Sequence, residues 1–267
     1  FVGERWNRQT QSALLDALSA KELVRRHRRR DEQTAADYNA LARIVKTLLG
    51  FLGFLWVKDD AELVITDAGL ELLVADEPHE VLDRQVAKYQ YPNPSLHRRY
   101  VRDFEGVLPH VFLLQVLQRV EYHLSRIELE LFVNLARTHA DIDAISTYIE
   151  CWRDLSDDQR EAVLEVAQGV EMPEGREPRY LTIHRDASYQ MAFHCYPEYL
   201  EKYNGGLRAI SEEGIDQVAE EWSRDLRVLS FDSEEDWFAY YGDPSQEPSW
   251  FRFLCAKVID EIAEENK

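Results

Sequence analysis

Apolar positions recur at helical spacing through the first fifty residues. Trp6, Leu14, Leu15 and Leu18 predict a first helix. Lys21 to Arg29 predicts a short second one. Thr34, with Asp37 three residues on, resembles a capping box and predicts a third. On that helix Tyr38, Leu41, Val45, Leu48 and Leu49 are expected on one face, with Asp37, Asn39, Arg43 and Lys46 elsewhere. Gly50 and Gly53 loosen its end. Two short apolar runs follow, Phe54-Leu55-Trp56-Val57 and Leu63-Val64-Ile65, about the turn at Lys58-Asp59-Asp60. They predict a hairpin. Thr66 then caps a helix that begins Asp67-Ala68-Gly69.

The pattern then repeats. Pro78 to Tyr91 predicts a connecting helix, stopped by Tyr91-Pro92-Asn93-Pro94. Val111, Leu114, Val116, Leu117 and Val120 predict a helix from Pro109. Ser125 with Glu128 is a capping box before another, Ala140 to Cys151 a third, and Ser156-Asp157-Asp158-Gln159 caps a fourth through Val166. Arg179 to His184 and Tyr189 to His194 predict a second hairpin. Gly205-Gly206 is expected to break the chain before an acidic helical end, in which Ser233 opens a helix that stops at Gly242-Asp243-Pro244. The fold class expected is mainly α with small β-hairpins, in tandem winged-helix-like (helix-turn-helix) domains. The expected divisions are a first domain over 1–77, a connecting helix and loop over 78–108, a second domain over 109–205 and an acidic helical segment over 206–267.

Charge changes this picture. The chain has 267 residues and a formal net charge of -19, from 31 Lys+Arg against 50 Asp+Glu. Residues 1–54 hold 10 basic and 6 acidic residues, net +4. The remainder holds 21 and 44, net -23. An acidic balance argues against a protein that coats nucleic acid or anionic membrane over its whole surface. The one dense basic stretch is Lys21 to Arg30, with Arg25, Arg26, Arg28, Arg29 and Arg30. Guanidinium groups bind phosphate oxygens bidentately, so this stretch is a candidate phosphate contact. It reads equally as a solvated helix face balanced by Asp31, Glu32 and Asp37.

The longest apolar run, Thr47 to Val57, is far shorter than the roughly 20 residues that span a bilayer. No membrane association is expected. Three widely spaced cysteines suggest a reducing cytoplasm without a disulfide framework. His184, His194 and Cys195 lack the paired spacing of a zinc site. His97, His110, His123 and His139 have no evident nucleophile partner. The acidic clusters, such as Glu234-Glu235-Asp236, read as helix starts. The aromatic run Trp237-Phe238 with Tyr240-Tyr241 reads as a packed helix end.

Four elements, in order, resemble the DNA-recognition part of AlwI-type (type IIS) restriction endonucleases and their nicking relatives. They are Leu63 to Leu73, Val81 to Pro92 (closing on Tyr89-Gln90-Tyr91-Pro92), Leu108-Pro109 with Leu113, Leu117, Leu124, Ile127 and Phe132, and Trp237 to Pro244. The resemblance implies a sequence-specific reader of double-stranded DNA, built from winged-helix subdomains and normally followed by a nuclease domain. The stretch between Val166 and Arg179 is short beside the family's. Such a nuclease domain needs a metal-binding carboxylate followed by a Glu/Asp-x-Lys element. No such element lies between apolar strands here, so no catalytic residue and no cofactor is expected in this chain. Mg²⁺ is expected only where a nuclease domain follows. The start at Phe1 leaves a further alternative open, a fragment whose nuclease domain lies beyond Lys267.

The expected DNA contacts are the five arginines on phosphates, and Asn39, Arg43 and Lys46 on base edges. Arg98, Arg99 and Arg102 form a second set. The alternative is a protein-interaction subunit or domain of a prokaryotic defence complex, favoured by the acidic remainder.

Overall fold

The structure is a computed structural model. It describes residues 3–21, 35–91, 106–169, 200–225 and 227–246. Among the described residues it is mainly helical with two small antiparallel sheets. The chain divides into two compact units, 1–85 with 231–246 and 86–230 with 247–267. Residues 231–246 belong to the first unit, and 206–209 form a strand of the second.

In the first unit α1 (Arg8–Ala20) opens with a capping box. Asn7 accepts the Gln9 and Thr10 N–H groups, and Thr10 accepts the Asn7 N–H in return. Next, α2 (Ala35–Phe51) packs on α1. The hairpin is found as expected: β1 (Leu55–Val57) pairs with β2 (Leu63–Ile65), Trp56 opposite Val64. Thr66 caps α3 (Asp67–Val74), accepting the Gly69 N–H at 3.1 Å while donating to the Gly53 carbonyl. Gly53 has φ +72° and faces Tyr241 and Gln85 where a Cβ would stand, so both conformation and space favour glycine. The first turns of α4 (Pro78–Lys88) and the later segment complete this core. Trp237 and Tyr241 are fully buried, with ring centroids 4.5 Å apart, which makes the aromatic run a packed helix end.

In the second unit α5 (Pro109–Arg119) is buried from His110 to Leu117. It leads through Glu121 and Tyr122, both at positive φ, to β3 (His123–Leu124). The Ser125–Glu128 capping box opens α6 (Arg126–Leu131) as expected. Then come α7 (Ile142–Asp154) and α8 (Asp157–Gly169). The last described strands are β4 (Leu200–Tyr203) and β5 (Gly206–Ala209), in the order β3-β5-β4. Finally α9 (Glu212–Asp225) packs on α5. Its Asp216 accepts the Tyr122 hydroxyl at 2.8 Å, which pushes the phenol pKa up to about 12.

Two expectations change. The hairpin expected over 179–194 lies outside the described residues. The hairpin that is described lies over 200–209, where a chain break was expected. Asn204 and Gly205 form its turn, both at positive φ, the two-residue Asn-Gly connection whose twist suits antiparallel strands. Gly206 lies so close to the Leu124 carbonyl that any Cβ would collide with it. Leu48, expected on the buried face of α2, is 47% exposed. Among the described residues no helix is long and apolar enough to cross a membrane.

Candidate nucleic-acid interface

The first unit exposes one helix face drawn from an acid-free stretch of the chain. From Tyr38 to Lys58 the sequence has no Asp or Glu, although acids make up 50 of 267 residues. Along α2, Ala42 is fully buried while Arg43, Ile44, Thr47 and Leu48 are exposed. These four occupy successive i, i+4 rows and share one side of the helix.

The Arg43 side chain is thus exposed to solvent. Lys46 is half-buried and lies within the field of Glu234. Burial pushes the Glu234 carboxyl upward, Lys46 pulls it down, and Asp59 from the β1–β2 turn pushes it up. The Lys46 charge is therefore partly offset inside the protein. Asn39 lies on α2, one turn before Arg43. On the hairpin, Lys58 sits 5.7 Å from the Trp56 ring centroid and 3.7 Å from Glu62. The arginines 25, 26, 28, 29 and 30, and 98, 99 and 102, lie outside the described residues. His184, His194, Cys195 and His97 do too.

The outward sides of α7 and α8 have the opposite charge. Asp143, Glu150, Asp154, Asp157, Asp158 and Glu161 are exposed. Their arginines turn to the protein instead. Arg153 donates to Glu128 and to the carbonyls of Val120 and His123, at 2.7–2.8 Å. Arg160 donates to the Trp152 and Arg153 carbonyls.

His139 is a structural group. Its Nε2 accepts the Leu108 N–H at 3.0 Å, its Nδ1 faces Gln115 Oε1 at 3.3 Å, and its ring meets Phe112 edge-on. Burial lowers its pKa to about 4, so it is neutral at ordinary pH. Among the described residues no group of His, Cys, Asp or Glu is arranged to hold a metal ion.

This arrangement of helices and hairpins has a solved counterpart. The fold is similar to that of the BpuJ1 endonuclease binding domain, crystallised in complex with pyrene- and phenanthrene-modified DNA. The likeness has a TM-score of 0.52 and covers 92% of this chain and 87% of that one. Sequence identity is 14%, so what the BpuJ1 domain shares with this chain is the fold. No protein-family model matches the chain, and no curated protein matches its sequence.

Of the α2 residues that sequence reasoning grouped as base contacts, Arg43 is exposed and Lys46 half-buried. That reasoning missed the exposure of Ile44, Thr47 and Leu48 beside Arg43. The signal available was the acid-free stretch, which apolar periodicity alone passes over.

Proposed function

We propose that this chain is a sequence-specific double-stranded DNA recognition module of a restriction-endonuclease-like protein, resembling the AlwI type. The carrying observation is the fold shared with the BpuJ1 endonuclease binding domain, over nearly the whole of both chains. A winged-helix reading of the second unit is supported by its order of elements. Among the described residues one helix, a short strand, three helices and a hairpin come in that order, with the short strand pairing to the second hairpin strand.

In this reading Arg25, Arg26, Arg28, Arg29 and Arg30 hold phosphates and fix the register. Arg43 and Asn39 on α2 read base edges, since Arg pairs bidentately with guanine and Asn with adenine. Lys46 contributes less, because Glu234 partly offsets its charge. Arg98, Arg99 and Arg102 form a second phosphate set. The chain itself holds no cofactor, and Mg²⁺ belongs to a nuclease domain where one is attached. Its setting is the cytoplasm of a cell that restricts foreign DNA.

The experiment is selection of random duplexes by the protein at two salt concentrations. One short enriched motif, with affinity falling steeply as salt rises, is the expected result. A second reading, a protein-interaction subunit of a defence complex, is favoured by the exposed acids of α7 and α8. Absence of any enriched duplex would select it.

A further inference from the structure

On the exposed side of α2, Ile44 is 53% and Leu48 47% exposed, next to Arg43 and Thr47. Two large aliphatic side chains facing solvent on a helix that also buries an apolar face need a reason. The flanking chemistry supplies one. The two rows themselves carry an arginine and a threonine and no carboxylate, because the sequence is free of acids from Tyr38 to Lys58. A basic or neutral apolar protein partner gains nothing from that charge pattern. An anionic partner with small apolar projections does.

The major groove of DNA is such a partner. Phosphates line its walls, and the only apolar group a base pair presents on its floor is the thymine C5-methyl. Helical geometry fits this. Arg43 and Thr47 form one row, Ile44 and Leu48 the adjacent row, so an arginine on a guanine places the aliphatic row over neighbouring base pairs. The outward face of α7, with Asp143, Glu150 and Asp154 exposed, could not enter that groove without strong repulsion.

We infer that Ile44 and Leu48 are specificity-determining residues that read thymine methyl groups beside the base contacted by Arg43. This rests on the DNA-recognition reading above and adds to it the class of base read by the apolar row.

The test begins with the duplex selected from a random library by the full chain. Each thymine is replaced singly by deoxyuridine, which removes only the methyl. A methyl buried in contact is worth about 0.8 kcal/mol, so about a fourfold loss of affinity is expected at one or two positions and none elsewhere. In Ile44→Ala/Leu48→Ala that loss should vanish, thymine and uracil binding alike. Both residues are about half-exposed, so the fold should survive, which circular dichroism checks. Arg43→Ala should instead weaken both duplexes together. Motif-specific binding without a uracil effect overturns the inference alone and leaves the DNA reading standing. Gain from 5-methylcytosine in place of cytosine, without a uracil effect, also overturns it. So does a change in sedimentation of the double variant with thymine preference intact, which makes the face a contact between copies. Failure to bind any duplex overturns both readings.

Discussion

Gln85 and Tyr241 hold each other's backbone. The Gln85 amide donates to the Tyr241 carbonyl at 2.7 Å, and the Tyr241 hydroxyl donates to the Gln85 carbonyl at 2.5 Å. The same amide also donates to the Leu52 carbonyl at 2.7 Å. Both side chains are fully buried. A late segment of the chain is thereby fixed into the core of the first unit. The second unit repeats the device, with Gln90 accepting the Leu229 N–H and donating to its carbonyl.

Gln85→Ala should therefore be costly. It strands two buried carbonyls, each worth about 1–3 kcal/mol, and opens a cavity between them. A loss of about 3–5 kcal/mol is expected. Tyr241→Phe removes one donor and should cost about 1–2 kcal/mol. Urea melts followed by tryptophan fluorescence measure both, since Trp237 packs on Tyr241. Equal costs for the two variants would contradict the double role of the amide.

Arg153 is the corresponding polar centre of the second unit. It pairs with Glu128, which is 3% exposed and also accepts the Ser125 N–H at 2.7 Å. Arg153→Met leaves that carboxylate without its cation, at a cost of about 3–5 kcal/mol. Glu128→Gln added to it should restore part of the loss, so the pair is non-additive. Arg153→Lys should recover little, because one ammonium cannot replace the planar fork that also reaches two carbonyls. Additive effects in the double-mutant cycle would refute this account.

His139 gives the fold a pH dependence of defined sign. Its folded pKa is lowered to about 4 from an ordinary 6.5. The unfolded chain therefore takes up the proton first as pH falls. The stability contributed by the neutral ring is full above about pH 6.5. It declines as pH falls toward 4 and is constant below. His139→Gln lacks this titration. The stability difference between wild type and variant should shrink from pH 7 to pH 4.5 in parallel urea melts. A difference independent of pH would show that His139 does not hold the Leu108 N–H as a neutral acceptor.

Local signals were legible wherever one side chain decides the conformation. Thr66, the Ser125–Glu128 box, Ser156 and Ser233 each begin the helix they were expected to begin. The hairpin of β1 and β2 followed from apolar runs about a polar turn. What apolar periodicity could not show was long-range assignment. Nothing near Phe238 in sequence says that it stacks on Trp56. The hairpin over 200–209 was missed because Gly205-Gly206 was read as a break, although Asn204-Gly205 between two apolar positions is a turn signal in its own right. Along α2, Leu48 was placed inside on spacing alone. The absence of acids through that stretch is the signal that sets this face apart.

The basic cluster and the α2 face should separate in binding experiments. Phosphate contacts supply affinity on any sequence, and the logarithm of affinity falls with the logarithm of salt at about 0.9 per neutralised phosphate. Reversing Arg28 and Arg29 to Glu removes two such contacts and adds repulsion. Binding to the selected duplex and to unrelated duplexes should weaken together, and the salt slope should flatten by about 2. Arg43→Ala should behave differently. A bidentate base contact is worth about 1–3 kcal/mol of discrimination, so the selected duplex should lose roughly ten- to hundredfold. Unrelated duplexes should change little, and the slope should be nearly constant. Fluorescence anisotropy over a salt series measures both affinities and the slope for each variant. If reversal at Arg28 and Arg29 leaves the slope unchanged, the cluster is a solvated surface, balanced by Asp31, Glu32 and Asp37, and the phosphates are held elsewhere.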